Sequence, residues 1–194
     1  MTALNPSRSE QPIPLDQPLP HRKTIREWLV PLSERITFGA FVLLIVDYAL
    51  FFALISGTLA FEAIWLKVLC ALAAGFVIGR LFIIGHDACH QSLTPHRELN
   101  KVLGRIAFLP SLTPYSLWDT GHNVIHHGYT NLKGVDFVWT PLTAAEFEAL
   151  TPKQKLLQRI YRSGWAPGLY YMIEIWWKRE FFPNKDHMPT RRPI

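Results

Sequence analysis

Charge is scarce where this sequence is most apolar. Between Ile36 and Gly85 only Asp47, Glu62, Lys67 and Arg80 are charged, whereas the whole chain carries 20 Lys+Arg and 15 Asp+Glu. A water-soluble domain spaces its apolar residues in helical or strand periods rather than pooling them. That pattern excludes an ordinary soluble globule. Cysteine is nearly missing as well. Cys70 and Cys89 stand ~28 Å apart if one continuous helix carries both, beyond disulfide reach, and free thiols are expected at a reducing cytoplasmic face. There is no CxxC, which removes structural zinc. There is no HExxH, which removes the general base of a zinc metalloprotease. There is no ExxH of the kind soluble di-iron bundles use. No Gly-rich phosphate loop, internal repeat or heptad pattern is present, and no recognition motif accompanies the basic charge, so nucleic acid is not an expected partner.

What remains is 194 residues, 49% hydrophobic, with a formal net charge of +5. That length suits one domain. Residues 1–24 hold prolines 6, 12, 14, 18 and 20 among Ser, Gln and charges, and cannot bury enough apolar surface to stay ordered. A disordered tail is expected there. About 35 largely polar residues precede the first apolar run, so a secretory signal peptide is not. A surface helix should begin near Thr24, carrying Trp28, Leu29 and Leu32.

Two apolar segments follow, 36–61 and 63–85, each long enough to cross a bilayer, which takes ~20 apolar residues. The link between them is so short that they must form an antiparallel helical hairpin, since both have to satisfy their own backbone groups in lipid. The alternative, two buried helices of a soluble core, is disfavoured by residues apolar on every face. Arg22, Lys23, Arg26 and Arg35 precede the hairpin, and Arg97, Lys101 and Arg105 follow it. The positive-inside rule then puts both outer ends in the cytoplasm. Residues 99–118 read as an amphipathic surface helix and a turn. Residues 165–177 are too short to span but rich in the Trp and Tyr that suit the headgroup level. The excess of basic residues suits anionic lipid or an acidic soluble partner.

Eight histidines are present, at 21, 86, 90, 96, 122, 126, 127 and 187. His86 and His90 form an HxxxH pair at the end of the second apolar segment; on a helix they share a face one turn apart. Such a pair arises ~0.3 times by chance at this composition. His122, His126 and His127 form HxxxHH, with a chance expectation of ~0.01. On an α-helix His122 and His126 share a face and His127 is turned away by ~100°, as would suit ligands to two different metal ions. Imidazole sets suit iron, zinc or copper. Asp87, Asp119 and Asn123 are candidates to orient the imidazoles. His96, just after Pro95, reads as a surface residue, His21 lies in the proline-rich tail, and Cys89 reads as a packing residue.

GHDACHQSLTP, followed by LNKVLGRIAFLPSLTPYSLWDTGHNVIHHGYTN and later GLYYMIEIWWKREFFPNK, resembles the membrane fatty acid desaturases, bacterial acyl desaturases most of all. The resemblance runs from about Thr37 to the C-terminus. It implies an all-α fold, a membrane hairpin with a cytoplasmic, histidine-bearing helical cap, with residues 25–194 as part of a desaturase domain. It implies that His86, His90, His122, His126 and His127 ligate two iron ions. It also implies O2 as co-substrate, an acyl lipid as substrate, and an external electron donor such as ferredoxin or a b-type cytochrome. The family alternatives are a related membrane hydroxylase or carotenoid oxygenase; from a different class, a catalytically dead lipid-binding or partner subunit. The family carries a third histidine box and a second hairpin. After His127 only His187 remains here, so the resemblance implies a truncated gene product, one half of a split enzyme, or a fragment. It further implies that these 194 residues alone give no unsaturated product.

Overall fold

The computed structural model describes residue 18 and residues 20–138, 140–166 and 168–185. Most of the proline-rich tail and His187 therefore lie outside the described residues. The chain divides into two compact units, Met1–Glu34 and Arg35–Ile194. In the first, helix α1 spans Arg22–Leu29 and a short 3-10 turn covers Val30–Leu32. α1 begins slightly ahead of Thr24 because the His21 imidazole caps it, Nδ1 accepting from the Lys23 N–H at 3.3 Å. The last residues read as tail are thus helical. Trp28, Leu29, Val30 and Leu32 are all exposed, giving this unit an apolar face.

The second unit is helical throughout, with no strand among the described residues. Helix α2 covers Thr37–Ala60 and α3 covers Ile64–Cys89. Both are long and apolar enough to cross a membrane. Their large apolar side chains face outward: Phe38, Ile45 and Phe52 on α2, Trp65 and Phe76 on α3, the last 81% exposed. Lipid removes the cost that water would impose on that surface. Between the helices Leu44 meets Val77, Leu81 and Ile84. The Asp47 carboxylate, 1% exposed, accepts from Arg80 Nη2 at 2.9 Å and Nε at 3.0 Å. This charge pair fixes the register of the hairpin. Cys70 and Cys89 are free thiols, as expected.

α3 is longer than the apolar window 63–85. It runs four residues further, to Cys89, because the histidine pair continues the same helical backbone, and Gln91 ends the turn with a left-handed φ of 60°. Helix α4, Arg97–Phe108, packs against α3 through Leu103, Ala107 and Phe108 rather than lying free on a surface. The close approach requires Gly85, where an added Cβ would sit 2.4 Å from the Phe108 ring. Asn100 ties the preceding loop down, bonding the Thr94 N–H, hydroxyl and carbonyl at 2.8–2.9 Å. Then come α5 (Tyr115–Asp119), a π-helix (Thr120–His126), α6 (Ala144–Glu148), α7 (Pro152–Tyr161) and a second π-helix (Tyr171–Phe181). α6 and α7 both open with a complete capping box, on Thr143 and Thr151.

Candidate metal centre

The two histidine groups sit at neighbouring ends of α3 and the first π-helix. His86 and His90 present their Nε2 atoms to each other at 3.2 Å. His122 joins them, with one ring nitrogen of each of the three lying within 4.8 Å of the others. His127 closes the group, its ring centroid 4.8 Å from His90 and 4.7 Å from His122. His126 stands beside them at 5.3 Å from His122 and 5.4 Å from His127. His96 is exposed and takes no part.

One expectation fails in an informative way. On an α-helix His127 would turn away from His122. Here the His127 N–H donates to the His122 carbonyl, five residues back, at 2.9 Å. The wider π turn aligns residues five apart, so the paired imidazoles are His122 and His127, with Nε2 atoms 3.2 Å apart. π-turns are rare and gather at functional sites. Gly128 permits this one, since a Cβ there would lie 2.3 Å from the Val124 carbonyl oxygen.

Carboxylates hold two of the rings from behind. His86 Nδ1 lies 3.0 Å from Asp87 Oδ1. His126 Nδ1 lies 3.0 and 3.1 Å from the two oxygens of Asp136. Asp136 is fully buried and also accepts the Asn131 and Val138 N–H groups at 2.9 and 3.0 Å. These contacts leave Nε2 of each ring for the cluster. Sequence reasoning missed Asp136; its signal is a lone carboxylate between Val135 and Phe137, an apolar setting that a solvated aspartate seldom occupies. Asp119 and Asn123 do something else. Asn123 donates to Asp119 at 2.7 Å and to the Cys89 carbonyl at 3.1 Å, so the pair ties the π-helix to the end of α3. Cys89 is buried against Phe108 and Trp118, a packing role.

Burial, reinforced by the neighbouring imidazoles, pulls His122 down to about 3. The same causes lower His90. Both rings are therefore neutral near pH 7, with a lone pair available. Trp118 stacks on His122 at 4.2 Å and 23° and shields that side. A cavity of ≈ 140 Å³ opens next to His86 and His122, walled by Phe82, Trp118, Phe137, Tyr171 and Ile175.

In chemical terms this is a set of converging imidazole donors beside a mainly apolar space. Nε2 atoms facing at 3.2 Å are satisfied either by one proton between them or by a cation that both ligate. A metal ion fits such a donor set.

Comparison with known proteins agrees with that chemistry. The chain is 29% identical over 185 residues to a chloroplastic omega-6 fatty acid desaturase of Glycine max, covering 91% of this chain and 41% of that protein. It is 30% identical over 154 residues to a fatty acid desaturase of Bacillus subtilis, covering 76% of this chain and 43% of the relative. To an sn-1 oleoyl-lipid 12-desaturase of Synechocystis it is 29% identical over 122 residues, 62% of this chain and 34% of that one. The chain thus spans about 40% of the length of the first two relatives. No solved structure matches. Residues 62–194 match the fatty acid desaturase family. With two apolar helices of spanning length, that match makes the protein membrane-associated. The chain belongs to the fatty acid desaturase family.

Proposed function

We propose that this chain is the histidine-bearing portion of a membrane di-iron acyl-lipid desaturase, in which His86, His90, His122, His126 and His127 supply the ligands that this portion contributes. The observation that carries the reading is the convergence of these five imidazoles from two helices, with Asp87 and Asp136 holding Nδ1 of two rings. Bound iron would supply the oxygen activation needed to remove hydrogen from unactivated CH2 groups. The chain's own residues do the rest. Asp136 keeps the His126 proton on Nδ1 and fixes the ring plane. Trp118, Phe82 and Tyr171 wall off an apolar cavity beside the imidazoles, which suits a stretch of acyl chain and keeps water away from the reacting carbon. Electrons come from a separate donor, a ferredoxin or b-type cytochrome, and the basic surplus of the chain suits an acidic donor.

The test is iron content. His126→Ala or His127→Ala should sharply lower the iron bound by the purified chain, and His96→Ala should leave it unchanged. Equal effects at the three positions would defeat the ligand assignment. The same reading places the cluster on the cytoplasmic side, because basic residues flank both outer ends of the hairpin while the turn at 61–63 has none. A reporter fused after Leu109 should be active in the cytoplasm only; activity on the opposite side overturns the topology.

A further inference from the structure

The cavity beside the imidazoles is not purely apolar. Arg179 and Glu180 of the second π-helix also line it. Arg179 lies over the Phe137 ring, 4.2 Å from its centroid. Glu180 is 7% exposed, and its Oε2 has no hydrogen-bond partner among the described residues. The hydroxyl of Thr113 is its polar neighbour. The terminal torsion of a glutamate is broad and two-fold, so either oxygen can be turned to the cavity. A buried polar atom without a partner is costly, and a ligand that supplies one recovers that cost. A plain hydrocarbon segment cannot.

We propose that Glu180 is a specificity residue of this cavity, and that the cavity takes an apolar chain bearing a hydroxyl group that hydrogen-bonds the Glu180 carboxyl. This deepens the desaturase reading and rests on it for the cavity being the seat of the acyl chain. Sites built to pair a hydroxyl reject analogues that lack it far more strongly than apolar pockets reject a missing methylene. Burial pushes the carboxyl up to about 7, so near neutrality it both donates and accepts. A water molecule trapped on Glu180 would satisfy it too, but would select nothing.

The experiment uses the whole chain in lipid nanodiscs and displacement of a fluorescent fatty acid. The competitors are octadecanoic acid and a series of hydroxyoctadecanoic acids with the hydroxyl stepped along the chain. One hydroxyl position should bind about tenfold tighter than the plain acid, a difference of about 1.4 kcal/mol. Glu180→Leu should erase that preference. Glu180→Gln should keep most of it, because a carboxamide still donates and accepts. The ratio of two ligands within one variant does not depend on how much of it is folded. A flat series, a preference that survives Glu180→Leu, or no displacement by any of the acids overturns the proposal. Iron uptake measured on the same samples separates the two readings. Iron without hydroxyl preference sinks the specificity role alone, and hydroxyl preference without iron sinks the ligand assignment while itself showing that the cavity seats an acyl chain.

Discussion

In the α2–α3 hairpin the large apolar side chains point outward, and one pair of opposite charges, Asp47 and Arg80, meets between the helices. Beyond Gly85 the arrangement changes. Five imidazoles are grouped there, three of them, His86, His90 and His122, against Trp118, and two, His86 and His126, backed by carboxylates. Between the hairpin helices the two facing charges are matched, Arg80 donating to the buried Asp47 carboxylate. Polarity inside the cap is arranged differently, because Nε2 atoms face one another in pairs, His86 with His90 and His122 with His127, as donors that a cation can share. A closed pair tolerates joint replacement by apolar residues of similar volume at little cost in stability.

That contrast is broken first at Arg80. Arg80→Leu strands the Asp47 carboxylate between the helices and should destabilise the hairpin by about 3 kcal/mol. The double change Asp47→Leu/Arg80→Leu should recover most of it, read as resistance to unfolding in detergent or bicelles. If the double variant is no better than the single one, the pair is not self-contained. A somewhat smaller effect is expected in the cap. Asp136→Asn keeps the size of the side chain but weakens its hold on His126 Nδ1, and should cost roughly 10–100-fold in metal affinity with little change in fold. A metal titration that shows no loss would mean that His126 does not act through Asp136.

The smallest effect concerns pH. Glu180 titrates near 7 in the folded chain against an ordinary value of 4.5. Between those values the folded state holds a proton that the unfolded state has released, so stability is greatest below about 4.5 and falls as pH rises to about 7. Glu180→Gln should flatten that slope in thermal unfolding of the metal-free chain. An unchanged slope would assign it to another group.

The hairpin was almost entirely legible in the sequence because hydrocarbon imposes a composition that no packing detail can override. Segment 36–61 is helix 37–60, and composition falls short only at the far end of α3, where apolar residues stop at Gly85 but helical hydrogen bonding continues to Cys89. The five histidines were legible as a group, since their spacing is improbable by chance. Their pairing was not. Whether His127 meets His122 or turns from it depends on an i→i−5 bond, which Gly128 allows and which spacing alone does not encode. Asp136 escaped for a related reason. It reaches His126 through a loop with Asn131 at a φ of 63° and Gly134 at 86°, a path that no periodic pattern marks.

The unbroken course of α3 makes it a depth gauge. His86 stands 22 residues beyond Ile64 on one continuous rod, about 33 Å at a rise of ~1.5 Å per residue. A hydrocarbon layer is ~30 Å thick, so on an α3 that crosses one upright from Ile64 the first imidazole would come just at the far edge. Height and azimuth of the His86–His90 pair are both set by the length of α3. One residue inserted between Lys67 and Gly79 would lift His86 and His90 by ~1.5 Å and swing them by ~100°, enough to carry both rings away from His122. A thicker or thinner bilayer would shift the same rings against the headgroups without changing a single contact inside the cap.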